Sequence, residues 1–367
     1  MQAPTGSAGI RVPQDLETPA LVVDAARMEA NIRHMAAAAR AAGVAIRPHA
    51  KTHKCWPIAR RQLDSGAGGL TVATLDEAEA FATAGCDDLF IAYPLWAGAG
   101  RGARVRQLHE TVRLRVGVDS AEAAELLAAA TRGSGSPLEV LVEIDCGGRR
   151  SGVTAGAAAG LATHCLRLGL NVLGAFTHPG HAYAGPAAVP AAAADERAAL
   201  AVAGASLEAL LDRRPILSGG STPTALDGIA GPLTEVRPGT YVFGDRQQMQ
   251  LAGMPQEKIA LVVAARVVST PRAGEAVLDA GSKALSSDRP AWLHGHGFLP
   301  EAPEAVVDAI TEEHAVVRGI RRRLSVGDLV GVVPNHVCTA VNLGTQLVVV
   351  AGGAVVEAWP VCSRAGR

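Results

Sequence analysis

What this chain lacks narrows it before any motif is read. Only 3% of its 367 residues are aromatic, so a large interior must be filled by the Ala, Val, Leu and Gly that dominate it. It has no charge excess: 34 Lys and Arg against 35 Asp and Glu leave a formal net charge of -1. That argues against nucleic acid or an anionic membrane as partner. No apolar run approaches the ~20 residues that cross a bilayer. The first 19 residues hold no apolar signal core, so secretion is not expected. The six cysteines (55, 86, 146, 165, 338 and 362) form no C-x-x-C pair. A chain of this size needs no covalent staples, and reduced thiols in a cytoplasm are expected. No G-x-G-x-x-G opens the first strand–helix unit, which weakens a doubly wound, dinucleotide-binding sheet as the fold.

What is present is an alternation. Residues 1–19 are polar and read as loosely held; a short strand at 20–23 is closed by Asp24, a suitable N-cap for a helix that Gly43 ends. Strand-like apolar runs then recur near 44–47, 69–73, 88–92, 112–118, 138–144, 170–176, 214–217 and 233–236. Ala- and Leu-rich helical stretches lie between most of them. Strands such as Leu138-Glu139-Val140-Leu141-Val142-Glu143-Ile144 read as runs covered on both faces. The pattern predicts an α/β fold, a (β/α)8 TIM-like barrel over 18–245 with the strand at 20–23 surplus to it. After Asp245 the helices give way to short β runs at 258–269, 275–280, 314–318, 328–333, 345–350 and 353–358. Residues 246–367 are expected to form a smaller antiparallel β domain.

The chemistry concentrates where strands end. Arg47-Pro48-His49-Ala50-Lys51-Thr52-His53-Lys54 follows the first barrel strand, and Pro48 should stop that strand. Lys51 then sits on a strand-to-helix turn, on the face of a barrel that carries catalysis. Cationic neighbours (Arg47, His49, His53, Lys54) and partial burial would free its amine to attack a carbonyl; a solvated basic loop is the alternative. Ser218-Gly219-Gly220-Ser221-Thr222-Pro223-Thr224 offers amides and hydroxyls to an anion at a late strand exit. Arg237 ends the last barrel strand, followed by Tyr241. His178 and Tyr183 follow another strand, and Arg149 a further one. In the β domain His336 and Cys338 stand two apart, so on an extended strand they share a side, and imidazole plus thiolate suits zinc. Glu312, Glu313, His314, His294 and His296 are further metal candidates. Asp279 to Ser286 reads as a polar loop suited to an interface or a pocket wall.

Five of these stretches, in order and spanning Thr18 to Val361, resemble the fold-type III pyridoxal-phosphate enzymes, the alanine racemase-like group, in its D-serine dehydratase and D-threonine aldolase branch. The resemblance implies that Lys51 holds the cofactor as an imine and acts as base, with His53 as a second catalytic group. It implies that Gly219, Gly220, Ser221 and Thr222 take the phosphate, and that Arg149, His178, Tyr183, Arg237 and Tyr241 surround the rest. His336 and Cys338 would hold a divalent ion, zinc first and manganese or magnesium otherwise. The implied activity is a metal-assisted lyase on D-3-hydroxy amino acids. Cys338 favours the dehydratase, since aldolase relatives tend to carry Asp there. Arg237 departs toward the racemase pattern and keeps a pyridoxal-phosphate racemase as the alternative. A homodimer is expected, because relatives build their sites between subunits.

Overall fold

The computed structural model describes residues 9–98 and 100–362. The loosely held start falls partly outside them, as does the end of the second domain. Strand β1 (Ala20–Asp24) leads into helix α1 (Ala25–Ala41). Asp24 Oδ1 accepts the Arg27 amide at 3.0 Å, satisfying one of the donors a helix start leaves open. Gly43 follows in the left-handed region (φ 66°), where a residue without Cβ ends the helix at no steric cost. The chain divides into two compact units. One holds 35–51 and 58–239; the other holds the chain up to His34, 52–57 and the chain from Thr240.

The first unit contains β2 (Ala45–Ile46), β3 (Leu70–Val72), β4 (Asp88–Pro94), β5 (Arg113–Val118), β6 (Glu139–Ile144), β7 (Asn171–Thr177), β8 (Ile216–Gly219) and β9 (Glu235–Val236). All pair in parallel, in the order β2-β9-β8-β7-β6-β5-β4-β3. The two ends meet: His49 bridges Thr71, and the Thr71 amide donates to the Pro48 carbonyl at 2.8 Å. The sheet is therefore a closed barrel, and the open doubly wound alternative fails. Helices α2 (Trp56–Asp64), α3 (Leu75–Thr83), α4 (Gly100–Thr111), α5 (Ala121–Ala130), α6 (Ala158–Arg167), α7 (Val189–Leu211) and α8 (Thr222–Asp227) alternate with the strands.

The barrel interior is layered, because alternate residues of a strand face the same way. A middle layer is apolar: Phe90, Leu141, Leu173 and Phe176 cluster, with the two Phe rings edge to face at 5.1 Å. Toward the strand starts lies an ionic layer that the sequence did not announce. Arg47 pairs with Glu235 at 2.8 Å and Asp88 at 2.6 Å, and Arg115 pairs with Glu139 at 3.0 Å and Asp88 at 3.4 Å. Burial alone would raise the pKa of Glu235; Arg47, the Ser218 hydroxyl and Arg237 outweigh it and hold the carboxylate below its ordinary range.

The second unit is built on β1, β10 (Leu261–Ser269), β11 (Glu275–Leu278), β12 (Gly297–Phe298), β13 (Val306–Ile310), β14 (Ala315–Arg318), β15 (Leu329–Pro334), β16 (Gln346–Ala351) and β17 (Ala354–Pro360). The order is β13-β14-β11-β10-β1-β16-β17, with β15 pairing both β10 and β12. β1 lies between β10 and β16, which accounts for the surplus strand; its pairing with β16 is parallel and the other pairings are antiparallel. Helices α9 (Arg246–Leu251), α10 (Ser282–Leu285) and α11 (Val337–Leu343) complete the unit. The polar stretch after β11 forms α10, and Lys283 and Ala284 help to line a cavity of about 410 Å³ with Thr18, Leu343 and Gln346. Among the described residues no helix is long and apolar enough to cross a membrane.

Candidate active site

Proline ends β2, and the chain enters a single 3-10 turn, Ala50–Thr52, that carries Lys51, half-buried. The charge of Lys51 acts on His178 at the exit of β7, together with those of Arg150 and Arg237. His178 is half-buried, and its burial first, then these cations, push its pKa well below the ordinary value. That direction favours the uncharged imidazole, whose ring nitrogens can donate and accept hydrogen bonds. The Tyr183 ring lies 6.3 Å from it. Arg237 follows β9, and its amide continues the ladder to the Gly219 carbonyl at 2.9 Å. Its guanidinium donates to Ser218 Oγ at 2.5 Å and the Thr177 carbonyl at 2.7 Å, and lies over the Phe90 and Phe176 rings at 5.6 and 5.3 Å. Burial lowers its pKa while Glu235, Glu196 and Glu143 oppose; guanidinium remains charged in such a setting.

The cations expected around Lys51 are distributed differently. Arg47 belongs to the ionic layer, where Glu235 and Asp88 hold its guanidinium. Lys54, in the left-handed region at φ 44°, donates its ammonium to Asn342 Oδ1 at 2.6 Å. His53 is buried with Nδ1 accepting the Cys55 amide at 3.1 Å, a bond that shapes its own turn. Tyr241 is buried in a 3-10 turn, Thr240–Val242, of the second unit.

The turn after β8 also differs from expectation. Gly220 takes φ +75°, as the turn requires, but its amide donates to Glu196 Oε1 at 2.7 Å. A carboxylate from α7 thus meets the amide that an external anion was expected to use. The Ser221 amide donates to Thr224 Oγ1 at 3.0 Å, and Thr222 Oγ1 accepts the Gly239 amide at 3.2 Å. Gly219 packs so closely on Glu196 that a Cβ would lie 2.6 Å from its Oε1. Burial, against the Gly220 amide and Arg237, raises Glu196 to about 7.

Arg149 is exposed, in the left-handed region at φ 50°, on a loop pinned by Asp145, which accepts the Gly147 and Arg149 amides at 2.9 and 3.0 Å. Its neighbour Arg150 is the one whose charge reaches His178 and whose Nη2 lies 3.9 Å from Glu143 Oε1. Sequence reading passed over Arg150, Glu143 and Glu196. A signal for Glu143 was available: Glu139, Leu141 and Glu143 are spaced by two, so both charges in this apolar run belong to one face.

In the second unit His336 and Cys338 do not share a strand. His336 is the extended N-cap residue (φ −134°, ψ 113°) of α11, and Cys338 lies in that helix's first turn. The helix start nevertheless brings them close enough for Cys338 to act on the titration of His336. Burial opposes protonation of His336, but Cys338 and Asp245 raise its pKa well above the ordinary value. Asp245 Oδ2 faces His336 Nδ1 at 3.2 Å, and Thr52 Oγ1 lies 3.2 Å from Cys338 Sγ. Among the described residues no three His, Cys, Asp or Glu side chains converge as a metal cage, so His294, His296, Glu312, Glu313 and His314 do not extend the pair.

The alanine racemase N-terminal domain family matches residues 23–247, and the putative serine dehydratase domain family matches residues 260–350. The D-threo-3-hydroxyaspartate dehydratase of Delftia sp. (strain HT23) is 37% identical over 356 residues, covering 88% of this chain and 91% of the relative. Its solved structure has a TM-score of 0.87 over 95% of this chain and 98% of its own. Structures of that dehydratase include a His-to-Ala variant and, two positions on, a Cys-to-Ala variant in the metal-free form. The D-threonine aldolase of Arthrobacter sp. is 33% identical over 360 residues, covering 95% of this chain and 93% of its own. The D-threonine aldolase structure from Filomicrobium marinum has a TM-score of 0.88 at 30% identity, covering 98% of this chain and 99% of its own. This chain belongs to the alanine racemase-like, fold-type III pyridoxal-phosphate enzymes, in the branch whose second domain is of the serine dehydratase type.

Proposed function

We propose that this chain is a pyridoxal-phosphate-dependent, divalent-metal-assisted lyase of D-3-hydroxy amino acids, with the dehydratase as the first reading and the aldolase as the second. The observation that carries it is the placement of Lys51, His178 and Arg237 at the exits of three strands of one barrel, where the charges of Lys51 and Arg237 act on His178 and Arg237 is fixed by Ser218 and the Thr177 carbonyl. This donor set suits a phosphorylated aldehyde: an amine at Lys51 Nζ, hydroxyls at Ser221 and Thr222, and cations to balance the charge. When bound, the cofactor supplies a π-system that stabilises negative charge at the substrate α-carbon.

Lys51 Nζ would hold the cofactor and carry the α-proton. His178, uncharged, would accept or return a proton at a ring nitrogen. Arg237, pinned by Ser218 and the Thr177 carbonyl, would orient the cofactor ring. The hydroxyls of Ser221 and Thr222, at the start of α8, would take the phosphate. The Gly220 amide plays a smaller part, because it already serves Glu196. Tyr183 and Arg149 would line the remainder, and His53 would support the turn that carries Lys51.

The His336–Cys338 pair fits a metal through its chemistry. An imidazole whose Nδ1 is held by a buried carboxylate presents Nε2, and the Cys338 sulfur, which a metal would take as thiolate, lies two residues on. Zinc is proposed on ligand softness, with manganese or magnesium as alternatives. Remaining positions would be filled by donors outside the chain, and the ion would polarise the substrate β-hydroxyl. A homodimer in the cytoplasm completes the proposal; sedimentation of the purified protein tests the dimer.

The deciding experiment incubates the purified protein, loaded with pyridoxal phosphate, with D-serine, D-threonine and D-3-hydroxyaspartate, scoring glycine and 2-oxo acid separately. Formation of 2-oxo acid and ammonia supports the dehydratase, and glycine with an aldehyde supports the aldolase. Exhaustive chelation should abolish turnover and leave the visible band of the bound cofactor. Turnover that survives chelation removes the metal from the reaction, and enantiomer exchange without cleavage makes the protein a racemase.

A further inference from the structure

The barrel mouth contains one carboxyl group that the residues above leave without a task. Glu143 lies near the end of β6 and is 2% exposed. It shares a strand face with Leu141, which packs in the barrel's apolar middle layer, so its side chain points into the barrel above that layer. Its two oxygens are treated differently. Oε1 accepts the Ser151 hydroxyl at 2.8 Å and lies 3.9 Å from Arg150 Nη2. Oε2 is buried and has no hydrogen-bond partner among the described residues. A buried carboxyl oxygen left unpaired is costly, and such atoms point to a partner that arrives with a ligand.

We propose that Glu143 is a ligand-contacting acid–base residue of the barrel mouth, and that Oε2 meets a hydrogen-bonding group of the bound cofactor or substrate amino acid. The proposal rests on the assignment of this mouth to the cofactor. The surroundings fit a proton carrier. Asp119, at the exit of β5, disfavours the charged form; Arg150 on the following loop, Arg237 beyond β9 and the Ser151 hydroxyl favour it. Burial is the largest influence and raises the pKa. The same Arg150 and Arg237 act on His178, so the carboxyl and the imidazole share one electrostatic environment with Lys51. A carboxyl whose pKa is raised above its ordinary value, beside the exposed 147–150 loop, can pass a proton between the bound molecule and water.

The test uses the cofactor-loaded protein and follows its visible band from pH 5 to 9. Glu143→Gln keeps the shape and the hydrogen-bonding capacity but cannot titrate. It should retain the band and the cofactor affinity, and should shift or erase a spectral transition by at least about one pH unit. Turnover should fall on the order of 10²-fold or more. Ser151→Ala removes a donor that favours the carboxylate and should move the same transition upward; it carries the test if the Gln variant does not fold. A Gln titration and turnover that superimpose on the parent's, or an unmoved transition in Ser151→Ala, overturns the proposal. Lys51→Ala separates the two layers of inference. A band that survives in that variant sinks the cofactor assignment itself, whereas loss of the band there with unchanged Glu143→Gln behaviour sinks only the role of Glu143.

Discussion

Strand β2 puts Arg47 into the barrel's ionic layer and carries the chain to Lys51 at the mouth. Strand β6 puts Glu139 into that layer and Glu143 above it, and β9 puts Glu235 into it and leads to Arg237 above. The same strands therefore furnish two charged regions separated by an apolar layer, and the two are finished differently. In the ionic layer every carboxylate meets a guanidinium: Glu235 and Asp88 meet Arg47, and Glu139 meets Arg115. At the mouth Glu143 Oε2 has no hydrogen-bond partner among the described residues, the pKa of His178 is pushed well below its ordinary value and that of Glu196 is raised to about 7. Paired charge in a barrel interior fixes structure; charge left partly unbalanced is available to a ligand. The contrast is what the following changes are designed to break or sharpen.

The largest effect belongs to Lys51. Lys51→Ala should remove the visible band of the bound cofactor and lower turnover by at least about 10³-fold, with little change in melting temperature. A large loss of stability in this variant would erase the distinction between the two regions. The mirror experiment is Glu235→Ala. It strands Arg47 without one of its carboxylates, and breaking such a buried pair costs on the order of 3–5 kcal/mol, read by urea unfolding. The pH dependence has a definite sign. The pKa of Glu235 is depressed in the folded state, so its contribution is present above the ordinary carboxylate pKa and lost as pH falls through the folded value. The parent should therefore lose more stability on acidification than Glu235→Ala does.

Glu196 sharpens the comparison from the mouth's side. Its pKa rises from 4.5 to about 7, so the folded state is favoured below 4.5 and that advantage is lost as pH rises through about 7. At 1.36 kcal/mol per pH unit the loss approaches about 3 kcal/mol. Glu196→Gln should match the parent near pH 4.5 and exceed its stability at pH 8, while still holding the Gly220 amide through its carbonyl oxygen. A stability difference that does not change with pH would show that Glu196 is ionised throughout, like the carboxylates of the ionic layer.

How much of this was legible beforehand follows from the range of each interaction. The eight barrel strands announce themselves as apolar runs, and Lys51 stands where Pro48 stops one of them. The ionic layer does not, because Arg47 meets partners 41 and 188 residues away, and no local pattern encodes that pairing. Glu139 and Glu143 were hidden inside a run read as apolar on both faces; their spacing of two was the clue. The segment Val337-Cys338-Thr339-Ala340-Val341 is rich in β-branched residues that favour strands, and tertiary context turned it into α11. β13 went unread because Asp308 interrupts it and its pairing register is irregular. The Gly-Gly turn was recognised as an anion receiver, but the anion that meets Gly220 comes from α7, 24 residues earlier.

The smallest expected effect tests whether the pairing rule extends to the second unit. Asp245 is fully buried and uses both oxygens. Oδ1 caps α9 through the Gln248 amide at 2.8 Å, and Oδ2 meets His336 Nδ1 at 3.2 Å and the Val337 amide at 3.0 Å. All three partners approach an acceptor. Asn offers one acceptor oxygen and an NH2, so Asp245→Asn must turn a donor toward either the start of α9 or the His336 ring. Loss of a carboxylate behind a ligating imidazole weakens metal binding 10- to 100-fold, about 1.4–2.7 kcal/mol. Competition with a graded series of chelators should show that loss in Asp245→Asn while the visible cofactor band stays intact. An unchanged metal affinity would mean that Asp245 serves the two helix starts alone.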